Sequence, residues 1–266
     1  MFGKKTTNYE IVPFSVVRDG LTIRGLMYKP QGNKLPIAVV SHAFMMNIWT
    51  TKKYAAHLAE KGYLAFCFDF NGGSVLPNKS DGKTTDMSVM TELADLMAVI
   101  NYAKAQPCAD PDNLTLMGCS QGGFVSALAA KKLGDQVKNL ILFYPALSIP
   151  DDARKGQMIS AKFDPANVPE VLKCGVMKLG RRYVTDVLEL DAFAEISGYQ
   201  GNVLILHGDK DKIVDISNSE KAHAAYKKAR TSKNRIQYTV VKDGSHGFFG
   251  AKGKEAVALL DKFLGL

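Results

Sequence analysis

The chain has few cysteines and none of the cysteine spacing that builds a metal or redox centre. Cys67, Cys108, Cys119 and Cys174 form no Cys-x-x-Cys pair. Two of them sit in strand-like apolar runs, so they read as buried thiols of a reducing cytosol and not as a disulfide framework. Long apolar runs are missing as well, and none approaches the length of a bilayer span. The start, Met1-Phe2-Gly3-Lys4-Lys5-Thr6-Thr7-Asn8, is polar and lacks an apolar core, so it does not read as a signal peptide. A cytoplasmic location is therefore expected. Internal repeats, low-complexity tracts, nicotinamide fingerprints and Walker motifs are all absent. The formal charge is +8, yet Lys and Arg lie in scattered pairs such as Lys52-Lys53 and Arg181-Arg182. No basic block marks a nucleic-acid or anionic surface, so the excess reads as a solvated face.

What remains is an ordinary globular composition with a strong pattern. At 266 residues and 46% hydrophobic, the chain can bury one large core, and it reads as a single domain over residues 1–266. Phe14-Val17 and Leu21-Tyr28 flank Asp19-Gly20, an antiparallel hairpin signal. Short continuous apolar runs then recur at Pro36-Val40, Tyr63-Phe68, Leu114-Met117, Val137-Tyr144, Val203-Leu206 and Ile236-Val241. Such runs read as strands covered on both faces. Segments of helical period lie between them: Thr50-Lys61, Met87-Ala105, the stretch after Ser120, Ser217-Arg230 and Gly253-Leu264. The rhythm predicts an α/β fold with a mostly parallel, eight-stranded sheet flanked by helices. It breaks between about residues 148 and 198, which read as a cap inserted over the strand ends.

One strand runs straight into Gly118-Cys119-Ser120-Gln121-Gly122-Gly123, and helical character follows at once. A Gly-x-Ser-x-Gly pattern alone is weak. In a strand–turn–helix context it reads as a nucleophile elbow, where glycines let strand and helix approach and the hydroxyl is lifted clear of the sheet. Two further post-strand loops carry chemistry, as expected where sites collect at the carboxyl ends of strands. They are His207-Gly208-Asp209-Lys210-Asp211 and Gly244-Ser245-His246-Gly247-Phe248. A serine hydroxyl needs an adjacent base, and that base needs an orienting carboxylate. The order Ser120, Asp, His246 is the one an α/β-hydrolase requires. From the residues alone the acid is Asp209, Asp211 or Asp215. An EF-hand reading of this stretch fails, because Ile213 and Val214 stand where an oxygen ligand and a glycine are needed. His57 and His223 read as residues of helix surfaces, and His42 and His207 as holders of loop geometry.

These motifs resemble the serine α/β-hydrolases over nearly the whole chain, and Gly118-Cys119-Ser120-Gln121-Gly122 resembles the elbow of the small bacterial cinnamoyl (feruloyl) esterases. The resemblance implies Asp211 as the acid and an oxyanion hole made by the backbone N–H groups of Gln121 and Phe44. In His42-Ala43-Phe44, Ala43 replaces the usual glycine, and Asn71-Gly72-Gly73 stands where relatives often carry a histidine. It also implies that Asp152 and Tyr183 of the cap face the aromatic ring of the acid, with Met158, Val171 and Leu172 as apolar walls. The expected function is carboxylic-ester hydrolysis through an acyl-enzyme, on hydroxycinnamate or similar small esters, with no metal or organic cofactor. The partner is a small-molecule ester, not nucleic acid or membrane, and a homodimer is left open. Two other readings stand beside it. A prolyl-oligopeptidase-type peptidase shares the catalytic core, though it usually adds a large partner domain for which 266 residues leave no room. A ligand receptor on a hydrolase scaffold usually loses part of the triad.

Overall fold

The computed structural model of the chain describes residues 8–77 and 79–266. Residues 1–7, on which the leader reading rests, lie outside the described residues. The chain opens with β1 (Tyr9–Arg18) and β2 (Leu21–Pro30), joined by the two residues Asp19 and Gly20, both at positive φ (50° and 79°). Positive φ at both positions is what a two-residue hairpin turn demands. β1 is longer than the apolar run suggested, because its solvent-facing residues keep pairing with β2 down to Tyr9.

Next come β3 (Leu35–Ser41), α1 (Ile48–Glu60), β4 (Leu64–Asp69), α2 (Val89–Lys104), β5 (Ala109–Cys119), α3 (Gln121–Leu133) and β6 (Val137–Phe143). Side chains set the helix starts. Asn47 accepts from the Trp49 N–H at 3.0 Å, and Ser88 and Thr91 form a reciprocal capping box on α2. After an inserted segment, β11 (Asn202–Gly208), α7 (Ser217–Lys228), β12 (Ile236–Val241) and α8 (Gly250–Leu264) complete the chain.

The principal sheet has eight strands in the order β1-β2-β4-β3-β5-β6-β11-β12. β2 is antiparallel to both of its neighbours, and every pairing from β4 onward is parallel. Helices cover both faces. Tyr54, Leu58, Leu260 and Phe263 of α1 and α8 pack on one side. Leu96, Val99, Phe124, Ala222 and Tyr226 of α2, α3 and α7 pack on the other. This two-sided cover is why β3, β4 and the end of β5 read as unbroken apolar runs.

The inserted segment holds α4 (Ile149–Arg154), the ribbons β7-β8 (Gln157–Met158 with Ala161–Lys162) and β9-β10 (Val171–Cys174 with Met177–Gly180), then α5 (Arg182–Thr185) and α6 (Ala192–Ile196). The sequence marks this stretch only as an inserted cap, and its short helices and two ribbons come from the structure. The segment leans on the chain just before α2. Thr84 donates to the Lys178 carbonyl at 2.6 Å, and Ser88 to Asp186 at 2.6 Å. A Cβ at Gly180 would stand 2.0 Å from the Thr85 carbonyl oxygen, so only glycine allows that approach. Among the described residues, no helix is long and apolar enough to cross a membrane.

Candidate active site

Ser120 sits between β5 and α3 at φ 53° and ψ −119°. A serine held at positive φ costs on the order of 1–3 kcal/mol and persists only where its surroundings fix it. They do so here. Its N–H donates to the Phe143 carbonyl at 2.9 Å, and its own carbonyl accepts from Gly123 at 2.9 Å and Ala146 at 3.0 Å. The flanking glycines are required by close approach. A Cβ on Gly118 would lie 2.1 Å from the Gly122 carbonyl oxygen, and one on Gly122 2.3 Å from that of His42. Met45, Tyr144 and Phe248, each in a loop at this end of the sheet, are also at positive φ. Such clustering of strained non-glycine residues is typical of functional sites.

Asp211 and His246 come from the loops after β11 and β12. His246 Nδ1 lies 2.7 Å from Asp211 Oδ2. Burial alone would raise the Asp211 carboxyl, but bonds from His207 and His246 and from the backbone N–H groups of Val214 and Ile213 outweigh it. They hold the group well below the usual carboxylate range. An ionised Asp211 only accepts, so His246 Nδ1 carries the proton and Nε2 is left as a base. Asp209 and Asp215 are exposed, and Asp215 only caps the N–H of Ser217. The geometry therefore separates three acids that residue pattern alone leaves equal. Tyr144, directly after β6, packs at a tilt against the His246 ring with centroids 4.5 Å apart, and Ser120 hangs from the neighbouring Phe143. The end of β6 thus ties the serine loop to the histidine loop.

The backbone N–H groups of Phe44 and Gln121 have no protein acceptor among the described residues, which leaves both available to an incoming oxygen. Gln121 itself is buried. Its Oε1 accepts the Tyr183 hydroxyl at 2.5 Å, and its Nε2 donates to Glu92 Oε2 at 2.8 Å. Tyr183 is buried too, with its ring 5.7 Å from that of Phe44. Tyr183 thus lies beside the elbow, and its one donor is committed to Gln121. Asp152 is half-buried and accepts the Ser148 hydroxyl at 2.9 Å. Burial pushes its carboxyl above the usual value. Met158 and Leu172 are buried, whereas Val171 is 45% exposed on the outward side of β9 and forms no inner wall.

The remaining histidines have structural partners. His42 Nε2 accepts the Phe70 N–H at 3.2 Å and Nδ1 donates to the Ala43 carbonyl at 2.8 Å, while burial keeps the ring neutral. His207 bridges Ser219 and the Val214 carbonyl and approaches Asp211 at 3.2 Å, which braces the acid's loop. His57 pairs with Asp261 between α1 and α8, and the His223 ring packs at a tilt against Tyr238. Asn71 binds Asp95 through its N–H at 2.8 Å and its side-chain amide at 3.1 Å. Sequence reasoning missed Glu92. Its signal was an acid at a core-facing position of α2, in register with Val89, Leu96 and Val99.

The parallel sheet, the strained serine and the Asp211–His246 pair on successive post-strand loops define an enzyme of the α/β-hydrolase class. The profile of the prolyl oligopeptidase family matches residues 49–265, and the chain belongs to that family. The structure of Est1E from Butyrivibrio proteoclasticus with ferulic acid bound superposes with a TM-score of 0.83 at 26% identity, covering 95% of this chain and 98% of that one. The Pyrococcus furiosus esterase Pf2001 shares the fold, with a TM-score of 0.73 at 16% identity over 100% of this chain and 95% of that one. An uncharacterised 31.7 kDa protein of Escherichia coli, encoded between traX and finO, is 31% identical over 97 residues. That match spans 35% of this chain and 32% of the relative's length.

Proposed function

We propose that the protein is a serine carboxylic-ester hydrolase that prefers hydroxycinnamate esters. The observation that carries this reading is the 2.7 Å bond from His246 Nδ1 to an ionised, buried Asp211, in the fold that also strains Ser120 at the end of β5. Ser120 Oγ attacks the acyl carbonyl carbon as its proton passes to His246 Nε2. Asp211 stabilises the imidazolium that results. The carbonyl oxygen takes the electron pair and is met by the Gln121 and Phe44 N–H groups, one such donor typically contributing about 2.7–4 kcal/mol. His246 returns the proton to the leaving alkoxide, and water then repeats the sequence to release the acid. Est1E, whose structure holds ferulic acid, supports the aromatic acyl group. Asp152 and Tyr183 would then accept from a phenolic hydroxyl. Turnover of methyl ferulate by purified protein, abolished in Ser120→Ala, tests the reading.

Family membership favours a second reading, cleavage of a peptide bond after proline by the same three residues. The two separate in one assay series, in which an acyl-prolyl anilide and methyl ferulate are offered to the same preparation.

A further inference from the structure

Glu92 lies in the apolar stripe of α2 at 1% exposure, where an acid is rare unless something claims it. Gln121 claims it, donating through Nε2 at 2.8 Å, and the opposite end of the same amide accepts from Tyr183 at 2.5 Å. Both ends of a buried amide are thus fixed, one by a helix of the core and one by the inserted segment. The residue so held also carries one of the two unpaired N–H groups beside Ser120. A side chain clamped at both ends leaves its own backbone little room to rotate. The sulfur of Met87 lies 3.9 Å from the same Nε2 and is a weak substitute acceptor.

We infer that Glu92 is a positioning residue for the reaction, acting through the Gln121 side chain to aim the Gln121 N–H at the developing oxyanion. The inference rests on the proposed ester hydrolysis. The groups around Glu92 sharpen it. Asp95 on the same helix is taken up by Arg18 of β1 and by Asn71 after β4. Tyr183 of the inserted segment feels the charges of both Glu92 and Asp152, and Asp186 holds Ser88 one turn earlier. No cation among these groups is free to neutralise Glu92. Burial, with a smaller push from Asp95, raises its carboxyl to about 8 against the pull of Gln121. At neutral pH the site therefore holds a neutral acid that still accepts from Gln121. Above that pH an uncompensated negative charge arises next to the oxyanion position and opposes the transition state.

Steady-state kinetics with p-nitrophenyl acetate, from neutral to alkaline pH, test this in the wild type, Glu92→Gln and Glu92→Leu. Glu92→Gln keeps the acceptor, so it should retain neutral-pH kcat and lose the wild type's alkaline decline. Glu92→Leu strands the amide and should lower kcat roughly 10-fold or more with KM changed less than about 2-fold, the signature of an interaction made in the transition state. Wild-type kcat in a folded Glu92→Leu, or an alkaline decline unchanged in Glu92→Gln, overturns the inference. Should Glu92→Leu fail to fold, the pH profile of Glu92→Gln decides alone. A wild type that hydrolyses no ester overturns the proposed function itself, whereas an active wild type with indifferent variants overturns only the role of Glu92.

Discussion

Tyr183 donates its hydroxyl to Gln121 Oε1 at 2.5 Å, so the residue after the strained serine is held by the segment inserted between β6 and β11. A hydroxyl has one proton and two acceptor positions. Tyr183 can therefore meet a further donor only by accepting, as can the Asp152 carboxylate. Under the proposed function these two residues call for a donor on the acyl group.

The first consequence concerns substrate choice. Methyl ferulate and methyl caffeate carry a phenolic O–H, and methyl cinnamate does not. The wild type is expected to show higher kcat/KM on the first two, because the phenolic O–H adds a hydrogen bond to the remaining acceptor positions of Tyr183 and Asp152 that methyl cinnamate cannot make. Asp152→Ala should narrow that ratio without slowing methyl cinnamate. Tyr183→Phe should narrow it and also slow every ester, since Gln121 Oε1 loses its partner. A preference for short aliphatic esters, or a ratio indifferent to both substitutions, removes the phenolic-acid reading.

A second prediction separates the three acids after β11. Asp211→Asn is expected to lower kcat by about 10³-fold or more, since an amide in that position favours the wrong histidine tautomer. Asp209→Asn and Asp215→Asn should stay within about 2-fold, as exposed residues remote from such features usually do. Kinetics on the three purified variants checks this, and equal losses at Asp209 and Asp211 would go against it.

The third prediction is a stability effect with a definite sign. The Glu92 carboxyl is raised to about 8 in the fold, whereas in an unfolded chain it sits near 4.3. Between those limits the folded state binds more protons than the unfolded one, so stability falls as pH rises. Glu92→Gln removes this penalty. Its Tm should match the wild type at about pH 4 and exceed it at about pH 8, by roughly 2–4 °C for each kcal/mol relieved. Thermal melts at the two pH values decide it, and a gain that is largest in acid would contradict the burial argument.

Much of this was legible beforehand because it is local. Pro36–Val40 is apolar throughout since helices cover both faces of β3, and Asp19-Gly20 turns β1 into β2 because both residues accept positive φ. Ser120 and His246 stood out for the same reason, each flanked by glycines at a strand end. Asp211 needed more. Pattern treats it like Asp209 and Asp215, and only the chain path shows which carboxylate is buried beneath His246. Glu92 was hidden more deeply. Its partner is 29 residues away, and helical periodicity scores an acid as outward-facing. The mismatch runs both ways on α2, where the apolar Met90 is exposed. The ribbons β7-β8 and β9-β10 were missed because runs of two to four residues carry too little periodicity to register.

The central claim is that Ser120 is the nucleophile of an ester hydrolase. The most direct measurement is intact-mass and peptide mass spectrometry after reaction with a fluorophosphonate, run beside methyl ferulate turnover. A single adduct on the peptide carrying Ser120, formed in step with loss of turnover and absent in folded Ser120→Ala, is the predicted result. Full turnover in Ser120→Ala, or inactivation with the adduct on another residue, would contradict it.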